Sequence, residues 1–174
     1  MHSPTPDRTL RPLWLVLPPA LLCMLDFGIT LYGQSASYWS GNYGAVNELS
    51  PSFARYLTIH PLAFVGAGVL WIALFSTLIA LLPEILALTV SIAVVIGHMG
   101  GAAMWLAYRF NNYQACNALF LVTAFVVVLS FKRGQSNDGS SAFDWKRTGL
   151  PPWTRWAVVA ALIALPVWWF LIPH

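Results

Sequence analysis

Apolar residues in this chain gather into five long runs separated by short polar segments. The runs are Leu13 to Tyr32, Pro61 to Leu82, Ile85 to Tyr108, Ala115 to Phe131 and Trp153 to Ile172. A helix needs about 20 apolar residues to cross a bilayer core. The pattern therefore predicts an all-α integral membrane bundle of about five transmembrane helices, in a single membrane domain over residues 1–174. The fourth run is the shortest, and its ends are the least defined. Only Pro83 and Glu84 separate the second run from the third. They predict a tight turn, with Glu84 favourably placed at the positive N-terminus of the next helix. One unbroken helix over 61–108 would instead leave about 70 Å of apolar helix to place.

Two polar segments lie between the runs. Residues 132–152 read as a flexible cytoplasmic loop, because Gly134 to Gly149 is rich in Ser, Asn, Asp and Gly. Gln34 to Ile59 carries Tyr38, Trp39, Tyr43, Phe53 and Tyr56, residues suited to a membrane–water interface. Ser50-Pro51 reads as an N-cap followed by proline at the first helical position. It predicts a short interfacial helix from Pro51 to Leu57. The first run also has a reading as a signal peptide. Its length, Pro18-Pro19, Asp26 and the poor cleavage site Ser35-Ala36-Ser37 favour a retained anchor. The runs do not duplicate one another, which disfavours an inverted-repeat transporter.

Composition narrows the class further. The chain is 58% hydrophobic and 9% charged, against about 25% charged in a soluble domain. A formal charge of +3 would suit a nucleic-acid partner, but the basic residues sit beside the apolar runs, which is a topology signal. With the N-terminus in the cytoplasm, Arg8, Arg11, Lys132, Arg133, Lys146, Arg147 and Arg155 all lie inside. Only Arg55 and Arg109 lie outside. The expected location is thus a bacterial-type inner membrane, with the C-terminus outside and no nucleic-acid partner. Cys23 and Cys116 differ in depth by roughly 15 Å, too far for a disulfide, and read as buried apolar side chains.

Candidate chemistry rests on ionisable groups inside the apolar runs. A central Asp costs about 2.5–3.5 kcal/mol on translocon scales, so Asp26 and His98 are expected to face a bundle interior, a cavity or a partner. Asp26 lies roughly 10 Å, and His98 roughly 15 Å, below the outer ends of their spans. His60 opens the second span, Glu48 lies in the outer loop, and Asn111 and Asn112 form the outer turn between spans three and four. A single polar pocket open to the outer side would collect them, with Asn111 and Asn112 at its rim. Thr30 and Gly33 share a helix face with Asp26, and Ser91, His98 and Trp105 share another. Gly97, Gly100 and Gly101 beside His98 allow a neighbouring helix or a flat ligand to approach closely. Each residue also has a packing role to be weighed. Asp26 can bond a neighbouring helix, His98 can bond a carbonyl or Asp26 itself, His60 can cap a helix, and Ser91 can serve packing alone.

Two stretches carry resemblances. Leu25-Asp26, Thr30 and Glu48-Leu49-Ser50-Pro51 resemble a family of uncharacterised small bacterial and archaeal membrane proteins. That family has an Asp and a Thr in its first span and a Glu-x-Asn-Pro stretch after it; here Ser50 stands in place of the Asn. The family has no established activity, and the resemblance implies that Asp26 and Glu48 belong to one site. Gly97-His98-Met99-Gly100-Gly101 resembles the histidine-bearing helix of rhomboid intramembrane serine proteases. Rhomboids also need a Gly-x-Ser-x-Gly-type nucleophile helix and six spans. Ser76 and Ser91 lack flanking glycines, so the likeness implies small-residue packing around a histidine and not proteolysis.

Three functional expectations follow. The first is an outward-facing membrane hydrolase. In its acid–base form Asp26 and Glu48 are catalytic; in its metal form His60, His98, Asp26 and Glu48 supply ligands suited to a transition metal. The second is an accessory or assembly subunit of a membrane complex, with His98 ligating haem or a chlorophyll-type pigment. The third is a small proton-linked transporter component using Asp26, which would require other membrane subunits or a homo-oligomer.

Overall fold

A computed structural model describes residues 11–48, 50–134 and 151–171. The expected flexible loop falls largely outside the described residues, as do Arg8, Lys146 and Arg147. The described residues form an all-α bundle with no strand. Its elements are α1 (Arg11–Tyr32), α2 (Ala36–Trp39), α3 (Pro51–Ile59), α4 (Pro61–Leu81), α5 (Glu84–Met104), α6 (Tyr113–Gly134) and α7 (Pro152–Leu171). A 3-10 turn at Tyr43–Ala45 follows α2, and a π-helical turn at Trp105–Arg109 continues α5. Four helices are long and apolar enough to cross a membrane, spanning Leu13–Tyr32, Pro61–Leu81, Glu84–Arg109 and Tyr113–Arg133. α7 contributes the shorter apolar stretch Trp153–Ala164. The fourth run is therefore longer than the sequence pattern suggested, extending to the basic pair Lys132-Arg133 in its last turn, where cations favour the helix dipole.

α1 is the central helix and packs on α4, α5 and α6, most extensively on α5. Pro18 and Pro19 lie inside it without ending it. Proline has no N–H, so the carbonyl four residues earlier loses its helical partner. For Pro19 that carbonyl belongs to Leu15, and the hydroxyl of buried Ser91 on α5 donates to it at 2.7 Å. Without water in a bilayer core, such a freed group needs another protein donor. Ser91 therefore repairs the helix that Pro19 interrupts, and it ties α1 to α5 in doing so.

Further up the same interface Gly33 on α1 receives the ring of Trp105, where a Cβ would clash. Leu15–Ser91, Asp26–His98 and Gly33–Trp105 thus mark a parallel α1–α5 seam. The heptad-spaced face of Ser91, His98 and Trp105 is the face that meets α1. Leu15, Cys23, Phe75, Leu78, Ile79, Leu82 and Ala87 fill the half of the bundle that holds the α1 N-terminus. Both cysteines are free and buried.

The connection between α4 and α5 is the expected tight turn. Pro83 caps α5, Glu84 stands in its first turn, and the Pro83 carbonyl accepts from Ala87 N. At the same end Arg155 Nε of α7 donates to the Leu81 carbonyl at 2.8 Å, satisfying a terminal acceptor of α4. The segment from Gln34 to Ile59 is a folded cap over the bundle. Tyr38 is fully buried with Leu57 and Phe64, and its hydroxyl donates to the Leu57 carbonyl. Trp39 stays exposed. The interfacial helix exists as α3 with Pro51 at its start, but the Ser50 side chain makes no capping bond. Glu48 Oε1 instead accepts from the Ser50 backbone N–H at 2.7 Å.

Candidate functional site

The site begins with the carboxylate of Asp26, which α1 carries four residues before buried Thr30. His98 Nδ1 lies 2.8 Å from Asp26 Oδ2. On the far side of the imidazole, the Trp71 indole N–H donates to His98 Nε2 at 3.0 Å. One hydrogen-bonded chain therefore joins α1, α5 and α4. Its polarity follows from donor chemistry. An indole nitrogen only donates, so Nε2 must carry the lone pair, and the imidazole proton sits on Nδ1 facing the carboxylate. An imidazolium would set one N–H against another. In this arrangement His98 is neutral and Asp26 is the acceptor.

Small residues make the approach possible. A Cβ on Gly101 would lie 2.8 Å from both Asp26 carboxyl oxygens, so α5 accepts the carboxylate only because residue 101 is glycine. A Cβ on Gly68 of α4 would run into the Phe27 ring. Seated in that notch, Phe27 packs edge-on against Phe64 at 4.9 Å and against His98 at 5.5 Å between centroids. Gly97 and Gly100 have nothing within 4 Å of an added Cβ. Close approach of a neighbouring helix thus occurs at Gly101 and not at Gly97 or Gly100; Gly97 leaves open space instead.

That space is a cavity of about 910 Å³, within the range of small-molecule sites. Asp26, Thr30 and Phe27 line it from α1, and Phe64 and Trp71 from α4. Val94, Gly97, His98 and Gly101 line it from α5, with Asn47, Glu48, Ser50 and Phe53 closing it from the cap. The π-helical turn brings Trp105, Tyr108 and Arg109 to the same wall. Such a turn adds a residue to the helical repeat and re-aims the side chains around it. Arg109 Nε donates to the Gly33 carbonyl at 3.3 Å.

Glu48 reaches the cavity through Gln34. The buried Gln34 side chain donates to the Thr30 and Asn47 carbonyls and accepts from Asn47 N at 2.8 Å. This clamp holds the segment before Glu48 across the end of α1. Sequence reasoning passed over Gln34, Trp71 and Asn47, and it counted Arg109 only as a topology charge. Polar residues at the ends of apolar runs were the available signal for Gln34 and Arg109.

Of the residues expected at one site, Asp26, Glu48 and His98 do line a common cavity. His60 does not. Its Nδ1 accepts from Leu62 N at 3.1 Å, capping α4, and its ring packs on Tyr43. The proposed metal set of His60, His98, Asp26 and Glu48 is therefore not assembled. Among the described residues no three His, Cys, Asp or Glu side chains come together as a metal site. His98 also presents no free ring nitrogen for a haem or pigment, because Trp71 and Asp26 occupy both. Asn111 and Asn112 are not at the rim. Asn111 adopts φ 50°, ending the π-helical turn, and Asn112 Oδ1 caps α6 through Ala115 N. The His60 and Asn112 side chains satisfy helix ends, whose orphaned groups demand partners, while Asn111 serves the turn through its backbone.

No protein-family model matches the chain, and no curated protein or solved structure is significantly similar to it.

Proposed function

We propose that this chain is a small multi-pass membrane protein that receives an amphiphilic small molecule in the cavity between α1, α4 and α5. There it performs acid–base chemistry with Asp26. The observation that carries this reading is the Asp26–His98–Trp71 chain set in the wall of a largely apolar cavity. An ionisable residue in a membrane span is costly and is by default a functional candidate. Here three helices contribute to holding one carboxylate in a fixed orientation.

In this reading Asp26 is the group that takes a proton from the ligand or from water beside it. Glu48 is the second carboxylate of the site, and the N-terminal resemblance implies the same association. His98 is a positioning residue, since both its ring nitrogens are committed. Phe27, Phe53, Phe64 and Val94 supply the apolar part of the binding surface. The filled half of the bundle below Cys23 and Phe75 favours a site that binds and reacts over a passage that conducts. The proposed orientation follows the charge bias, with the cavity opening away from the cytoplasm and the N-terminus inside an inner membrane.

The test is to incubate the purified full chain with a total lipid and small-metabolite extract, and to compare wild type with Asp26→Asn by mass spectrometry. The expected result is a species retained or converted by wild type and not by the variant. Identical profiles from two equally well-folded proteins would overturn the reading.

A further inference from the structure

The charge state of the hydrogen-bonded chain points to the kind of molecule that the cavity takes. Trp71 fixes the imidazole proton on Nδ1, so His98 contributes no positive charge, and Asp26 Oδ2 accepts. With Asp26 ionised, as this inference takes it to be, the pair presents a carboxylate, and no cation within it, to a cavity in apolar surroundings. Leaving a carboxylate there without a counter-charge is costly. The lining contains a second carboxylate, Glu48, and a single guanidinium, Arg109, among the described residues. Arg109 is exposed and stands at the far end of the π-helical turn, held by the Gly33 carbonyl. It is a rim charge.

The walls fit a positive ligand too. Phe27, Phe53, Phe64, Trp71, Trp105 and Tyr108 all line the cavity. Phe27 and Phe53 sit 5.0 Å apart, and Phe53 and Phe64 6.0 Å apart, between centroids. Aromatic faces attract cations, most effectively where water is excluded. A metal ion is a poor match, because no three ligating side chains assemble among the described residues and the surroundings are mostly apolar. A weakly hydrated organic cation needs one carboxylate, aromatic walls and room for an apolar body. The cavity supplies all three.

We propose that the cavity binds a singly charged organic cation, an amine or quaternary ammonium carrying an apolar body, with its charge at Asp26 and its body against the aromatic wall. This inference rests on the reading of the cavity as the functional site, and it names the ligand class.

The test uses the full chain in maltoside micelles, with radiolabelled tetraphenylphosphonium as probe in a scintillation proximity assay. Tetraphenylborate, of nearly the same shape and opposite charge, is one competitor. Benzyltrimethylammonium and a long-chain primary amine are the others. Saturable binding displaced by the cations and not by tetraphenylborate is expected. Asp26→Asn should weaken it by about tenfold or more, the scale of one coulombic pair near a protein surface. Arg109→Gln should strengthen it, an effect that lost packing would not produce. Stronger displacement by the long-chain amine would place the natural ligand in the lipid phase, and stronger displacement by benzyltrimethylammonium would place it in water. Equal displacement by tetraphenylborate, or undiminished binding in Asp26→Asn, would overturn the cation assignment while leaving an amphiphile site intact. Absence of any saturable binding, with every protein eluting as a single folded species, would overturn the cation assignment. Loss of the extract-dependent difference between wild type and Asp26→Asn is the separate result that would remove the underlying reading.

Discussion

The indole N–H of Trp71 points at His98 Nε2 from 3.0 Å, and this contact decides which way the imidazole faces Asp26. With a donor fixed on one side, only the Nδ1–H tautomer satisfies both neighbours. Trp71→Phe keeps an aromatic ring, removes the donor and gives up the second ring of the indole. The expected outcome is a loss of about 0.5–1.5 kcal/mol of stability, and a His98 ring free to exchange tautomers. Thermal unfolding in detergent, compared with wild type, measures the first effect. An unchanged melting curve together with full ligand retention would mean that the contact is incidental.

Gly101 and Gly97 sit one turn apart on α5 and should respond in opposite ways. Gly101→Ala places a methyl 2.8 Å from the Asp26 oxygens, so the carboxylate must leave its position beside His98. Gly97→Ala meets nothing within 4 Å and only narrows the cavity. The first variant should lose function and stability together, and the second should keep its stability, or gain slightly from the better helix propensity of alanine. Parallel measurement of melting temperature and ligand retention distinguishes them. Equal stability losses in both would contradict the assigned packing.

Ser91 and Pro19 should be energetically coupled through the Leu15 carbonyl. Ser91→Ala leaves that carbonyl without its 2.7 Å donor, at an expected cost of about 1–3 kcal/mol. In a Pro19→Ala background the restored N–H can close the helical bond to Leu15, and the cost of Ser91→Ala should largely vanish. A double-mutant cycle on unfolding free energies reads this coupling directly. Additive effects would show that the hydroxyl does not substitute for the missing helical donor.

Some of this architecture is legible in the order of residues, and some is not. Asp26 and His98 stand out because an ionisable group in an apolar run is rare and costly. The shared face of Ser91, His98 and Trp105 is visible from helical spacing alone. What spacing does not give is the register of α1 against α5 and α4. The residues that meet are far apart in sequence, and Gly33, Gly68 and Gly101 set the approach by where they permit contact. Trp71 is invisible for a related reason: a tryptophan in an apolar span reads as bulk, and its role appears only when Nε1 finds a ring nitrogen. His60, Asn111 and Asn112 were misplaced because pattern reading pools polar residues by depth, whereas each of these sits at a helix end. Gln34 was passed over because its work is done on backbone groups of a loop.

Orientation is open to a direct check. In the proposed orientation Lys132, Arg133 and Arg155 lie inside and Arg55 and Arg109 outside, and the cavity mouth faces the outer side. A reporter fused after Ile172 should be active outside the membrane, and one fused in the 132–152 segment active inside. Cytoplasmic activity at Ile172 would refute a five-span arrangement.

The central claim is that a neutral His98, held by Trp71, presents its Nδ1 proton to the Asp26 carboxyl oxygen. Solid-state ¹⁵N NMR of histidine-labelled protein in lipid bilayers, assigned by difference against His98→Ala, measures this most directly. The account predicts one protonated and one unprotonated ring nitrogen for His98, with the unprotonated Nε2 correlated to the Trp71 indole. Two protonated nitrogens, or a proton on Nε2, would contradict it.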